Sequence, residues 1–156
     1  MKCYATLFLL CLLFCCYPKD DPLQVEGGFV TALKNGEMWT VPGETQFLGD
    51  TLIIWGLGRE EVLSFLIQFD GEGVYELKGH HLSYYTTIGG DMLTSRYQFE
   101  ENEVEELVIE NFDSEGGWLE GSFAFTLPQA SPSSTDHPKA KDFEQGKFRL
   151  RVVAEE

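Results

Sequence analysis

The sequence predicts an all-β domain, an antiparallel β-sandwich with a flattened β-barrel as the alternative, of roughly eight to ten strands with little or no helix. Two observations carry that expectation. Short runs alternate apolar and polar residues: between positions 118 and 127, Leu119, Phe123, Phe125 and Leu127 share one side with Gly121, while Glu120, Ser122 and Thr126 take the other. Glycine turns separate these runs, no long stretch has convincing helical periodicity, and no internal repeat is evident.

Taken in order, residues 29–41 read as a hairpin. Asn35-Gly36 is its turn, because both central residues of the tightest hairpin connection take positive φ, and Met38, Trp39 and Val41 lie on its second strand. Pro42-Gly43 is expected to break the chain there. In residues 51–59, Ile53, Trp55 and Leu57 alternate with Leu52 and Ile54, so both sides of that strand are apolar and both are expected to be buried. Residues 60–69 fit two periods. Val62, Phe65, Leu66 and Phe69 stand at helical spacing, whereas Leu63, Phe65, Ile67 and Phe69 alternate. The short length and the following Asp70-Gly71-Glu72-Gly73 turn favour a strand, with residues 74–77 as its return strand.

Residues 82–87 and 92–99 pair across Gly89-Gly90-Asp91 in this reading. Residues 100–106, rich in glutamate, form a solvated connection. The clearest hairpin joins residues 107–112 to 118–127 through Asp113-Ser114-Glu115-Gly116-Gly117. Residues 128–141, rich in Pro and Ser, read as a mobile surface loop. A last strand alternates Phe148, Leu150 and Val152 with Arg149 and Arg151.

The N-terminus has the layout of a lipoprotein signal peptide over residues 1–15: Lys2, then an apolar run through Leu7, Leu9, Leu10, Leu12 and Leu13 that is too short for the roughly 20 residues of a bilayer span. Leu13 three positions before Cys16, with the small Cys15 immediately before it, resembles a lipobox, which makes Cys16 the acylated first residue of the mature chain; Cys15 is the alternative register, weaker because the bulky Phe14 would precede the cut. Lys19, Asp20 and Asp21 resemble the export signal of surface-displayed lipoproteins of the Bacteroidetes. Residues 16–28 are then lipid and tether, and residues 29–156 a single domain. Two or more acyl chains, each contributing about 0.8 kcal/mol per buried methylene, hold such a protein stably. The expected location is the outer membrane facing the exterior, the periplasmic face or secretion being the alternatives.

All four cysteines, Cys3, Cys11, Cys15 and Cys16, fall in the leader or at its cut, so the mature domain has neither disulfides nor thiol chemistry and rests on its core. A mature chain of about 140 residues buries roughly two-thirds of its unfolded surface. The net charge of −15 excludes nucleic acid as a partner.

A search for chemistry finds no catalytic constellation and points to no cofactor. His80 and His81 are adjacent, so on an extended strand they face opposite ways and hold no metal together, and His137 belongs to the loop. Ser134-Thr135-Asp136-His137 has the letters of a triad without a rigid scaffold. The carboxylate-bearing turns at residues 70–73 and 113–117 are too short for calcium loops. Trp118, Trp39, Trp55, Tyr84 and Tyr85 are the candidate ligand contacts, since aromatic side chains on strand faces stack on a glycan or grip a protein partner. Trp118, in phase with the outward Glu120, is the leading one. The function that follows is a lipid-anchored, non-catalytic binding module. Its rivals are a lipocalin-like carrier with a cavity lined by Phe65, Phe69, Phe123 and Phe125, and a hydrolase acting on carbohydrate or peptide.

Several segments together resemble a family of small Bacteroidetes lipoproteins known as a domain of unknown function. They are Thr31-Ala32-Leu33-Lys34-Asn35-Gly36-Glu37-Met38-Trp39, Gly73-Val74-Tyr75-Glu76-Leu77, Leu107-Val108-Ile109-Glu110-Asn111-Phe112-Asp113, Leu119-Glu120-Gly121-Ser122-Phe123-Ala124-Phe125 and Gly146-Lys147-Phe148. The chain departs from that pattern at Lys34, where an apolar residue is usual, which leaves the register of the first hairpin open. The resemblance implies no catalytic residues.

Overall fold

The computed structural model describes residues 27–130 and 137–152. The leader, Cys16, Lys19, Asp20 and Asp21 lie outside the described residues, as do the middle of the Pro/Ser loop and the triad letters Ser134 to Asp136. The fold is all-β. Ten strands, β1 (Gly28–Lys34), β2 (Glu37–Leu48), β3 (Thr51–Leu57), β4 (Glu61–Gln68), β5 (Gly73–Lys78), β6 (Leu82–Ile88), β7 (Met92–Gln98), β8 (Val104–Asp113), β9 (Trp118–Pro128) and β10 (Ala140–Arg151), form one antiparallel sheet curled round its own apolar side. Its order is β5-β8-β9-β10-β1-β2-β3-β4-β6-β7, and Tyr97 on β7 bridges back to Gln129 beyond β9.

The first hairpin has the register its turn dictates, Lys34 opposite Glu37, with Asn35 and Gly36 at φ 52° and 81°. Pro42-Gly43 does not break the chain as expected. β2 runs through it and changes partners there, pairing with β1 up to Pro42 and with β3 from Gly43 onward. The pair makes the corner of the curl. Pro42, with no N–H to donate, closes the β1 ladder. A Cβ on Gly43 would run into the Leu150 side chain and come within 3.1 Å of Val30 Cγ2.

Residues 61–68 are a strand, as the alternation favoured, but β5 is not its return partner. β4 pairs with β3 and β6, and β5 crosses over to pair with β8, Gly73 opposite Ile109. The crossing is tied down locally. The Tyr75 hydroxyl donates to Gly71 O and accepts from Asp70 N, at 2.6 and 2.9 Å, and Phe112 N donates to Glu72 Oε1 at 3.0 Å. Phe69 packs edge-on against Phe47 and Phe112 above it, ring centroids 5.6 and 5.0 Å apart.

The acidic connection is shorter than expected, because Val104 to Glu106 already belong to β8. So is the Pro/Ser loop. β9 extends to Pro128, β10 begins at Ala140, and both flanks are held, Gln129 N donating to Lys139 O and Ala130 N to Arg96 O.

The interior is filled by aromatic rings. Phe65 lies 5.1 and 5.9 Å from Phe123 and Phe125, which stack on each other at 5.3 Å, and Phe143 continues the chain of rings at 5.2 Å from Phe125. Edge-to-face and offset pairs of this kind add to plain area burial. Bulges between Ile109 and Asn111 and between Phe143 and Gly146 let the long strands bend round this cluster.

Candidate functional site

One end of the core is polar. Lys34 ends β1 in phase with the buried Val30 and Ala32, so its side chain is carried inward, and Glu61 opens β4 in phase with the buried Leu63 and Phe65. The two meet as an ion pair, each about one-fifth exposed. The Glu61 carboxylate also accepts from the Tyr84 hydroxyl and from Trp39 Nε1, the latter at 2.6 Å. Rings wall the cluster: the Lys34 ammonium lies 5.3 Å from the Trp39 centroid and 5.6 Å from that of Tyr84, and Phe143 packs against both rings.

The electrostatics follow from this geometry. Partial burial alone would raise the Glu61 pKa, but the hydrogen bonds from Lys34, Tyr84 and Trp39, with the Lys34 charge, outweigh it and hold the carboxyl below its ordinary value. Tyr84 is pushed up by burial and by Glu61. Lys141, whose ammonium lies 5.7 Å from the Tyr97 ring centroid, is pushed down by burial and then by the charge of Lys34. The cluster thus contains two ammonium groups and one carboxylate that already accepts three hydrogen bonds. An ionised carboxylate held in this way ties its strands together, and with its pKa lowered it is a poor general acid at neutral pH.

The five aromatic candidates separate into three places. Trp39 and Tyr84 are buried beneath the polar cluster and do not form a contact surface, because they lie on the inward phase of β2 and β6. Trp118 faces outward as expected, yet its ring is already occupied: the guanidinium carbons of Arg149 and Arg151 lie 4.7 and 4.6 Å from its centroid. The cause is register, since β10 sets Arg151 directly opposite Trp118.

Trp55 and Tyr85 stand together on the outer face of β3, β4 and β6. Cross-strand rows there run Glu44, Trp55, Ser64, Ser83, Gln98 and Leu57, Val62, Tyr85, Arg96, and Ile53 lies opposite Leu66. Ser64 and Ser83 join their hydroxyls at 2.8 Å in the middle. The outer side of β3 is therefore covered in part, Ile53, Trp55 and Leu57 being intermediate in exposure, whereas Leu52 and Ile54 on its inner side are fully buried. Burial of β3 on both sides is not what the single sheet supplies.

His80 and His81 are not on an extended strand. They end a 3₁₀ turn at Gly79–His81 with ring centroids 4.9 Å apart. Among the described residues, no three His, Cys, Asp or Glu side chains are grouped closely enough to hold a metal ion. The turn at residues 113–117 is closed by Asp113 Oδ1, which accepts from Glu115 N and Gly116 N at 3.1 and 2.8 Å. Sequence reasoning missed Lys34, Glu61 and Lys141 as a group. The available signal was their phase, since a charge two residues from buried positions on a strand must face inward.

No family model matches the chain, and comparison with curated proteins and with solved structures finds no match.

Proposed function

We propose that the chain is a lipid-anchored module of the outer membrane, facing the cell exterior, that works by binding and carries no catalytic activity. The anchor in this reading is Cys16, followed by the Lys19-Asp20-Asp21 export signal, and no nucleic acid takes part. The observation that carries the binding half is the outer face of β3, β4 and β6, where Trp55 and Tyr85 stand among Ile53, Leu57, Val62 and Leu66. A contiguous, partly exposed apolar surface on a strongly acidic protein supports that reading. The filled interior supports the same choice over an apolar-ligand carrier, because Phe65, Phe123 and Phe125 pack on one another where that carrier needs a cavity.

Two measurements test it. Intact mass of protein extracted from its own membranes is expected to show a chain starting at an acylated Cys16, and Cys16→Ala is expected to release the protein; an unmodified, soluble product in both cases overturns the anchor. A titration with a fluorescent fatty acid is expected to show no saturable uptake, and saturable uptake would restore the carrier.

A further inference from the structure

We propose that the mouth of the curled sheet, between Lys34 and Lys141, is a binding site for the carboxylate group of a small organic acid. It lies apart from the outer face of β3, β4 and β6 and does not depend on it. Register builds the site. β1 and β10 are neighbours, Lys34 stands opposite Phe143, and Lys141 is the next inward residue along β10. The two lysines are therefore diagonal neighbours on the inner face, with Cα atoms about 7–8 Å apart. On the far side of β10, Lys141 is opposite Leu127, Gln129 follows two residues on, and Tyr97 of β7 bridges to Gln129. The Lys141 ammonium lies 5.7 Å from the centroid of the fully buried Tyr97 ring. Tyr84, Glu61 and Trp39, already joined to Lys34, complete the circuit.

Donors outnumber acceptors around this circuit. Glu61 is its one carboxylate, and it is engaged by Lys34, Tyr84 and Trp39. Lys141 brings a second ammonium, with three N–H donors, over the face of a ring. Its pKa is pushed down by burial and then by the charge of Lys34, with Glu61 acting the other way. Two like charges thus stand near each other at a part-buried place with one carboxylate to offset them. Gln129 Nε2 is shielded from solvent and has no acceptor among the described residues. A buried donor without a partner points to an acceptor that arrives from elsewhere.

Charge and shape select the ligand. Two ammonium groups and one carboxylate leave the mouth with a single net positive charge in a chain of net −15. A carboxylate carries one negative charge and two acceptor oxygens, so it neutralises the mouth, whereas a phosphate dianion overshoots and meets the field of the acidic chain. That field is screened beyond about 8 Å at physiological ionic strength, so the nearby ammonium groups dominate for a monoanion. The mouth is reached from solvent, since Lys34 and Glu61 are about one-fifth exposed. Phe143, one step deeper along β10 and fully buried, closes the floor by packing against Trp39, Tyr84 and Phe125. The site therefore takes the acid group and has no space beneath it for a long apolar chain.

The experiment uses the full chain with acetate as the probe, read by saturation transfer from the protein to the acetate methyl protons. A signal that saturates in the millimolar range is expected, as befits so small a ligand. Chloride at equal ionic strength is expected to leave it unchanged, formate to displace it, and phosphate at pH 8 to compete about tenfold less well than formate. Lys141→Gln is expected to weaken acetate about tenfold, while Lys141→Arg, which keeps the charge, and Lys147→Gln, on the outer face of β10, leave it in place. A measurement on the unaltered chain stands beside the variants: saturating acetate is expected to slow acylation of Lys141 about fivefold relative to Lys147. Full binding in Lys141→Gln, or equal slowing at both lysines, overturns the site. Phosphate competing as well as formate overturns the carboxylate as its ligand. No saturable signal from the unaltered chain overturns both.

Discussion

Glu61→Gln tests whether the polar end of the core is a lock. The carboxylate takes three donors, from Lys34, Tyr84 and Trp39. The amide keeps the shape, but it offers one acceptor oxygen in place of two and turns an NH₂ group toward groups that themselves donate. It also leaves the Lys34 ammonium without its counter-charge among the rings of Trp39 and Tyr84. Hydrogen bonds to a charged group contribute roughly 1.5–3 kcal/mol each in buried settings. The site is about one-fifth exposed, so water compensates part of the loss. A destabilisation of about 2–3 kcal/mol remains after that discount.

With a urea m-value of about 1–3 kcal/mol/M, the midpoint is expected to fall by about 0.7–3 M. The pH dependence has a definite sign. Glu61 titrates lower in the folded chain than its ordinary 4.5, so its contribution is fully present above about pH 4.5 and is lost as pH falls through the folded value. The gap between the wild type and Glu61→Gln is therefore expected to be widest at neutral pH and to narrow below pH 4.5. A midpoint shift under about 0.3 M, or a gap of equal size at both ends of the pH range, refutes the lock.

Three other substitutions or labels probe separate parts of the structure. Gly146→Ala places a Cβ on the ring of Phe123, which packs against Phe65 and Phe125; chemical unfolding is expected to show a loss of about 2–3 kcal/mol, and a neutral result would mean the ring or the bulge can shift. Trp118→Leu removes two cation–π contacts at a part-exposed site and is expected to cost about 1 kcal/mol in the same assay; a fall in glycan binding with stability unchanged would instead show Trp118 to be a ligand contact. Lys141, its pKa lowered by burial and by Lys34, is expected to be acylated faster than the exposed Lys147 by an amine-directed reagent near pH 8, as read by peptide mass spectrometry; equal rates would mean the amine is shielded from the reagent.

What was legible in the sequence was local. The turns at Asn35-Gly36, at Gly89-Gly90 and at residues 113–117 could be placed because the positive φ of their glycines is a requirement on those residues alone. The inward phase of β9 was equally plain, from Leu119 to Leu127. The partner of β5 was not. A strand of six residues after a glycine-rich turn reads as a hairpin return, and what directs it across the core is Tyr75 bonding to Asp70 and Gly71 while Phe69 seats against Phe112, a residue 43 positions away in sequence. Pro42-Gly43 misled for a related reason. A proline and glycine that would end a strand in a flat sheet instead let one strand serve both halves of a curled one. Lys34 stood out as a charge where an apolar residue is usual, Glu61 did not, and only the curl brings β1 and β4 together.

The aromatic candidates show the same division between residue type and environment. Tryptophan and tyrosine were chosen for what such rings do at surfaces, and burial reassigned Trp39 and Tyr84 while the β10 arginines covered Trp118. For β3, however, the sequence pattern carries information that the isolated chain leaves unused. Ile53, Trp55 and Leu57 alternate with Leu52 and Ile54 as in a strand with a layer on each side, and such patterning is costly to solubility unless a layer is present. The described chain supplies one layer, over Leu52 and Ile54.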